Sequence, residues 1–327
     1  MKTEYSPKDV SIIIPTYNRA EHLKKSLSNI AKLNSLPREI LIIDQTIDDS
    51  TKKVFQFFNK KLKILKYFKS NKPSIAIAKN IGVSKSSPKS SILLFLDDDA
   101  LVGPKFINEI LNGYKRHPNA AGIFGANPEL SVNSGLKFKL TNLIKGIFLL
   151  GPIVSHCSLN MNSPYGNKGW KDNGKEYLTE WFPGTDPSYK KEVFKDLKFD
   201  ENFFGWSLGE DIDISYRICK KHGPLYIVPA SIFHKHPPAE YTPQKEISKI
   251  YMNQINHFYL FYKDMPEMRI QFIWNLIGIS LFELFNLLKI NKAPFNSLRF
   301  KHYIKSLYYC YKNKEKIKKG DLSLPIK

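Results

Sequence analysis

Cysteine is scarce in this chain. Only Cys157, Cys219 and Cys310 occur in 327 residues, odd in number and far apart. They form neither a disulfide framework nor a metal-type spacing, so a reducing compartment is expected. Phosphate loops are missing as well. Neither G-x-G-x-x-G nor G-x-x-x-x-G-K-[ST] occurs, which argues against a dinucleotide-type Rossmann fold and against a P-loop. The amino-terminal stretch MKTEYSPKDV has no apolar core, so no signal peptide is expected. No internal repeat is found. Acid is in deficit: 30 Asp and Glu stand against 50 Lys and Arg, a net charge of +20. That excess implies a partner of opposite sign, whether nucleic acid, an anionic membrane surface or a phosphorylated substrate.

What is present begins with Ser91 to Ala100, SILLFLDDDA. An apolar run of this length reads as a buried strand. It runs straight into Asp97, Asp98 and Asp99, and the next basic residue along the chain is Lys105. Side chains alternate along an extended chain. Asp97 and Asp99 are therefore expected to face one way and Asp98 the other. Two convergent carboxylates suit a hard divalent cation, Mg²⁺ or Mn²⁺; the bland alternative is a solvated acidic turn.

Around that stretch the first third alternates two periods. Val10 to Pro15, Glu39 to Asp44 and Leu62 to Phe68 read as strands. Ala20 to Leu33, Asp49 to Phe58, Ser74 to Ser84 and a segment from Pro104 to about Tyr114 read as helices. This cadence indicates βαβ units and a parallel sheet, in which ligands bind beyond the carboxyl ends of the strands. Three features then share one cleft: Pro15-Thr16-Tyr17-Asn18, Asp44 and the aspartate triplet. Thr16, Tyr17 and Asn18 offer polar groups and an aromatic face to a nucleotide, although Asn18 would also serve as a helix cap. Asp44 would accept from a base imide or a ribose hydroxyl, or is simply a turn acid.

In that order and spacing, VSIIIPTYNRAEHLKKSL, EILIIDQTIDDST, SIAIAKNIGVSKSS and ILLFLDDDALVGPKFI resemble the family 2 glycosyltransferases. The similarity continues through EWFPGTDPSYKKEVFKDLKFDENFFGWSLGEDIDISYRICKKHGPLYIVPASIFHKH, to about residue 240. The resemblance implies an α/β GT-A fold: a Rossmann-like, mostly parallel central sheet flanked by helices, here with a C-terminal helical extension. It implies a donor half at 9–127, an acceptor half at 128–240 and a separate helical region at 241–327. By the same resemblance Pro15, Thr16, Tyr17, Asn18 and Asp44 form the nucleotide pocket, and Lys79 and Asn80 line the diphosphate. Lys79 replaces the family's Arg, which keeps the charge and loses the bidentate fork. Asp97 to Asp99 stand for the DxD motif, with Asp99 the metal ligand, Asp97 nearer the ribose and Asp98 the least direct. Asp211, beside Glu210, is the general base. His234, or His236 two residues on, completes the metal or diphosphate site. DQTIDDS departs from the commoner DDGS pattern, and Asp186-Pro187 stands where many relatives have Asn-Met.

With one base and no second carboxylate suited to be a nucleophile, direct displacement with inversion is expected. The donor would be a nucleotide-diphospho-sugar and the acceptor a glycan or lipid-linked glycan. The last third carries Thr242 to Lys263, a helical stretch rich in aromatics, and then the apolar segment Ile270 to Ile290. Gln271, Asn275, Gly278, Asn286 and Lys289 share one arc of that helix, which suits an interfacial helix; a core helix and a true span are the alternatives. Eight Lys or Arg and one acid lie between Arg299 and Lys319, fitting an anionic leaflet. Leu136 to Leu150 is a second amphipathic stretch that either faces a membrane or packs. Peripheral attachment to the cytoplasmic membrane face is expected, and no nucleic acid. A sugar-phosphate nucleotidyltransferase and a basic nucleic-acid-binding protein are the competing readings. The first lacks a triphosphate loop. The second conflicts with acids gathered at the cleft while the basic excess sits near the C-terminus.

Overall fold

The computed structural model describes residues 4–126, 143–150, 176–182, 184–203, 208–234, 242–287 and 293–325. The chain forms two compact units: 1–131 with 171–237, and 132–170 with 238–327.

The first unit begins with three parallel strands, β1 (Val10–Thr16), β2 (Glu39–Asp44) and β3 (Leu65–Lys69), separated by α1 (Ala20–Ile30) and α2 (Ser50–Asn59). Helix α3 (Ile75–Lys85) follows, capped by the Ser74 hydroxyl, which accepts from the Ile77 N–H. Then come β4 (Ile92–Phe95), β5 (Ala100–Val102), α4 (Phe106–Arg116) and β6 (Gly122–Ala126). Each periodic run of the sequence forms the element its period demands. Strands β1, β2 and β4 are buried along almost their whole length, because helices cover both faces of a parallel sheet, whereas the edge strand β3 is largely open.

A helical turn at 143–147 (α5) belongs to the second unit; the first unit continues with β7 (Tyr177–Thr179), β8 (Pro187–Lys190), α6 (Glu210–His222), β9 (Leu225–Pro229) and β10 (Ile232–His234). The main sheet has the order β3-β2-β1-β4-β8-β6-β9-β7. Strand β8 runs antiparallel between β4 and β6, and β7 antiparallel on β9; the other pairs are parallel. Strands β5 and β10 form a separate antiparallel pair. Gly82 lets α3 approach the sheet, since a Cβ there would lie 2.3 Å from Ile13 Cγ2.

One sequence expectation is corrected here. Strand β4 ends at Phe95, and Asp98 and Asp99 form a turn before β5. Alternation stops where the strand stops, so the rule that put Asp98 opposite Asp99 does not apply.

In the second unit lie α7 (Pro243–Asp264), α8 (Arg269–Leu287), α9 (Ala293–Lys312) and α10 (Lys314–Lys318). Phe261 stacks on Phe272 with centroids 4.0 Å apart. Arg299 bridges Glu246 and Glu283 at 2.5 and 2.7 Å. Helix α8 is turned against the simple expectation for its polar arc. Asn275 and Gly278 face inward. Asn275 Nδ2 donates to the Leu149 carbonyl at 2.7 Å, and Trp274 Nε1 to that of Ile147 at 2.7 Å. A Cβ at Gly278 would meet Phe148 at 2.3 Å. Ile270, Ile273, Trp274, Ile277, Leu281, Leu284 and Phe285 are exposed instead.

His257, on α7, meets Phe272 edge-on at 5.2 Å and lines a cavity of about 360 Å³ with Glu246, Lys249, Glu283 and Arg299. Burial pushes its imidazole down to about 4. An unfolded histidine titrates near 6.5, so folding disfavours the charged ring. Its contribution is complete above about pH 6.5 and is lost as pH falls towards about 4. Urea midpoints of His257→Phe should therefore fall less steeply than wild type between pH 7 and 4.5, a window set by those two values; parallel acid limbs would contradict this assignment.

Candidate active site

The site is assembled at the carboxyl ends of β1, β2 and β4. Beyond β1, Asn18 adopts φ +54°, the left-handed region that asparagine tolerates better than most residues. Its N–H donates to Thr46 Oγ1 at 2.9 Å, tying the end of β1 to the loop after β2. Asn18 is thus the turn residue, and Arg19 occupies the cap position of α1. Tyr17 is 43% exposed, with its ring available to a ligand. Pro15 lies in β1 opposite Ile43. Thr16 is buried, and its hydroxyl donates to Asp98 Oδ2 at 2.7 Å.

The aspartate turn carries its charge under cover. Asp98 and Asp99 are 3% and 5% exposed. Arg19 reaches both, with Nη1 3.0 Å from Asp98 Oδ1 and Nη2 2.5 Å from Asp99 Oδ2. Burial pushes the Asp98 carboxyl up to about 6, against the pull of Arg19 and Thr16. Asp97 is half-buried, and its N–H donates to Asp186 Oδ1 at 3.2 Å. Asp186 is itself buried and left-handed, at φ +60°. On β10, His234 pairs by backbone with Ala100, immediately after Asp99. The His234 side chain and all of His236 lie outside the described residues.

Asp44 is fully buried. It accepts from the Thr46 N–H at 2.8 Å, the Tyr67 hydroxyl at 2.6 Å and Lys69 Nζ at 3.0 Å. Its oxygens therefore hold the loop after β2 in place. That loop and the Asn18 turn border a cleft of about 570 Å³, lined by Asn18, Arg19, His22, Ile47, Asp48 and Ser50. The size lies within the range of small-molecule sites. Another cavity, of about 600 Å³, lies at the opposite end of the strands, beside Tyr5, Ser90 and Lys191. Neither lining includes Asp44 or the aspartate triplet, but Arg19 lines the first and pairs with Asp98 and Asp99, which ties that cleft to the strand-end acids.

Lys79 is turned inward among Glu210, Asp97 and Asp211, and Asn80 toward the segment before α6. Asn80 Nδ2 donates to the Phe199 carbonyl and to Glu201 Oε1, each at 2.9 Å, and Asn80 Oδ1 accepts from the Phe199 N–H at 2.9 Å. Lys79 is buried, with Nζ 2.8 Å from Glu210 Oε1 and 5.2 Å from the Phe199 ring centroid. Both residues tie α3 to the segment leading into α6. Helix α6 starts after Gly209 at φ +98° and carries Glu210, Asp211 and Asp213 in its first turn, where the helix dipole favours acids. Burial pushes Glu210 up to about 7, although Lys79 pulls it down. Its Oε2 is buried without a hydrogen-bond partner among the described residues. Asp211 is raised too, chiefly by burial, against Lys79 and backbone N–H donors that include Gly184. Gly184 packs so close that a Cβ would stand 3.2 Å from Asp211 Oδ2. A partly accessible carboxylate with raised basicity is suited to take a proton; the sealed Glu210 is suited to hold Lys79.

Arg19, Asp186, Gly184, Tyr67 and Lys69 were not expected as parts of the site. For Arg19 the only sequence signal was its place beside Asn18. Among the described residues no group of three His, Cys, Asp or Glu side chains is arranged to hold a metal ion. The donor set nevertheless fits a hard cation. Asp98 and Asp99 already share one positive group, and Mg²⁺-type sites use one or two carboxylates completed by phosphate oxygens and water.

The fold is of the GT-A type, as in solved glycosyltransferases. A mannosyltransferase from Pyrobaculum calidifontis, solved with GDP-Man and Mn2+, superimposes with a TM-score of 0.55 at 15% identity, covering 92% of this chain and 87% of that one. GalNAc-T7, solved with UDP, GalNAc and Mn2+, superimposes at 0.57 with 15% identity, covering 93% and 57%. Residues 11–158 match the model of Glycosyl transferase family 2. Validoxylamine A glucosyltransferase of Streptomyces hygroscopicus subsp. limoneus is 23% identical over 290 residues, which is 84% of this chain and 60% of the relative. An undecaprenol-linked-glycan relative, GalNAc(5)-diNAcBac-PP-undecaprenol beta-1,3-glucosyltransferase of Campylobacter jejuni, is 26% identical over 203 residues, 60% of this chain and 56% of that protein. The matched segments span about three fifths of these curated relatives' length.

The Lys79–Glu210 pair yields a sharp test. Glu210→Leu leaves a buried ammonium without its partner and should cost about 3–5 kcal/mol in urea unfolding. Lys79→Met should cost less, because Glu210 with its raised pKa takes up a proton near neutrality. The double variant should recover much of the loss, giving a coupling of at least about 1 kcal/mol. Additive losses would mean that the pair is not a unit.

Proposed function

We propose that this chain transfers a sugar from a nucleotide-diphosphate donor to a hydroxyl of a glycan or lipid-linked glycan, with inversion and with Mg²⁺ or Mn²⁺ as cofactor. The observation that carries this reading is the set of buried carboxylates on the turn after β4, beside the Asn18 turn and the 570 Å³ cleft, in a chain that matches the family 2 model. Tyr17 stacks on the base, Asn18 shapes the turn around it, and Asp44 supports the pocket from beneath. Asp97 and Asp99, with His234, would hold the cation, which would supply charge neutralisation to the leaving diphosphate. Asp211 takes the proton of the acceptor hydroxyl. The acceptor oxygen then forms its bond to the anomeric carbon as the carbon–oxygen bond to the diphosphate breaks. A single displacement of this kind inverts the anomeric centre. Lys79, Asn80 and Glu210 act by positioning.

Asp211→Asn tests the assignment. It should retain nucleotide-diphosphate binding in calorimetry and lose about 10²–10⁴-fold in transfer rate. Normal turnover would remove Asp211 as base, and an α product from an α-linked donor would remove inversion.

Peripheral attachment to the cytoplasmic face of a membrane is part of the same proposal. The stretch Pro266–Leu287 has a mean hydropathy of 1.4 and only 22% of it is buried. Its outward stripe is apolar, and α5 adds exposed Leu143, Ile144 and Ile147 beside it. The same unit carries exposed Lys301, Lys305, Lys312 and Lys316, which favour anionic headgroups. The Campylobacter relative's undecaprenol-linked substrate is consistent with work at such a surface. Trp274→Ser/Ile277→Ser/Leu281→Ser should cut sedimentation with phosphatidylglycerol vesicles at least about tenfold, because three large apolar side chains no longer enter the interface. Unchanged sedimentation would rule out this face.

A further inference from the structure

We propose that Arg19 is an internal counter-cation that occupies the aspartate turn until the metal and the donor arrive, and then turns its guanidinium onto the diphosphate. The inference rests on the reading of that turn as the cation and donor site. Two carboxylates buried to the extent of Asp98 and Asp99 are costly to keep charged without a compensating cation. Arg19 supplies one, at 3.0 Å from Asp98 and 2.5 Å from Asp99. The pairing is uneven in burial: the side chains of Asp98 and Asp99 are 4% and 3% exposed, whereas that of Arg19 is 37% exposed. The carboxylates are fixed by their turn and by the Thr16 hydroxyl. Arg19 is anchored only at its backbone, on the rim of the 570 Å³ cleft. The arginine is therefore the member able to leave.

A divalent cation on Asp99 and a guanidinium on the same carboxylate exclude each other by charge. The metal must displace Arg19, and its apparent affinity is lowered by the fraction of molecules in which Arg19 is bound. A displaced guanidinium at the head of α1 lies beside the region where a nucleotide's phosphates would sit, and its fork matches phosphate oxygens. Metal and donor binding then cooperate, because the diphosphate gives Arg19 a new anionic partner.

Arg19→Met separates this device from a structural clamp, because the expected effects have opposite signs. Mn²⁺ binding is read without nucleotide, from loss of the free-ion electron paramagnetic resonance signal. It should tighten roughly tenfold or more in the variant, as the competitor is gone. UDP and GDP binding at saturating Mn²⁺, read by calorimetry, should weaken by roughly tenfold, as a bidentate charge-assisted contact is lost. Arg19→Lys should fall between the two for both quantities. If the variant is less stable, Mn²⁺ alone should raise its Tm by more than it raises the Tm of wild type. Weaker or unchanged nucleotide-free Mn²⁺ binding in Arg19→Met, with wild type binding Mn²⁺ and nucleotide, overturns the counter-cation and leaves the site reading intact. Mn²⁺ binding by neither protein, with or without nucleotide, overturns both.

Discussion

The constraint on which the first unit depends is the burial of negative charge at one end of its sheet. Asp44, Asp98, Asp99, Asp186 and Glu210 are all nearly or wholly removed from solvent. A carboxylate so placed must be matched by cations or hydrogen-bond donors. The chain meets the requirement with partners from other elements: Lys69 of β3 and Tyr67 for Asp44, Arg19 at the head of α1 for the aspartate turn, Lys79 of α3 for Glu210. Each pairing also ties the tip of one element to another. The acids of the candidate site are thus inseparable from the contacts that hold the strand ends in register. They also explain how a chain of net charge +20 contains a strongly acidic interior face.

Much of this was legible before the structure. Apart from β5, the strands and helices up to Arg116 follow from period alone, and the strand from Glu39 to Asp44 agrees to the residue. Buried parallel strands have continuous apolar runs, which are hard to mistake when turn residues bound them. The clustering of PTYN, Asp44 and DDD at one end was legible for the same reason, since a parallel sheet puts its carboxyl ends together. What local rules missed was pairing at a distance. Arg19 lies 80 positions before Asp99, and no window around the triplet contains it. Lys79 and Asn80 read as groups facing a ligand, because a sequence does not say which side of α3 meets the segment before α6. Insertion of β8 antiparallel between β4 and β6 was likewise invisible, since a four-residue strand has little period to read.

Helix α8 teaches a related lesson. Its sequence defines two faces clearly, one apolar and one with Asn275 and Gly278. Periodicity finds the faces and is silent on which one turns inward. In water the apolar face normally does. Here inward orientation of the other face is set by close packing and hydrogen bonding: Gly278 admits Phe148, and Asn275 and Trp274 donate to carbonyls beyond α5. An amide that satisfies a backbone carbonyl removes the cost of burying both. The apolar stripe is left outside, on a surface where solvent contact is unfavourable.

The two units treat their surplus chemistry in the same way. At the strand ends, carboxylates are held charged and covered by cations of which two, Arg19 and Lys69, are much more exposed than the groups they cover. On α8, apolar side chains are held exposed by polar contacts made on the opposite face. In both places a folded element presents a chemistry that folding alone would hide, and in both the surrounding contacts are specific enough to hold it there. Regions where local preference and tertiary arrangement disagree are where binding surfaces are expected. In the function proposed above, a cation with phosphates would resolve the first disagreement and a lipid interface the second, so that each disagreement would select its ligand by chemistry.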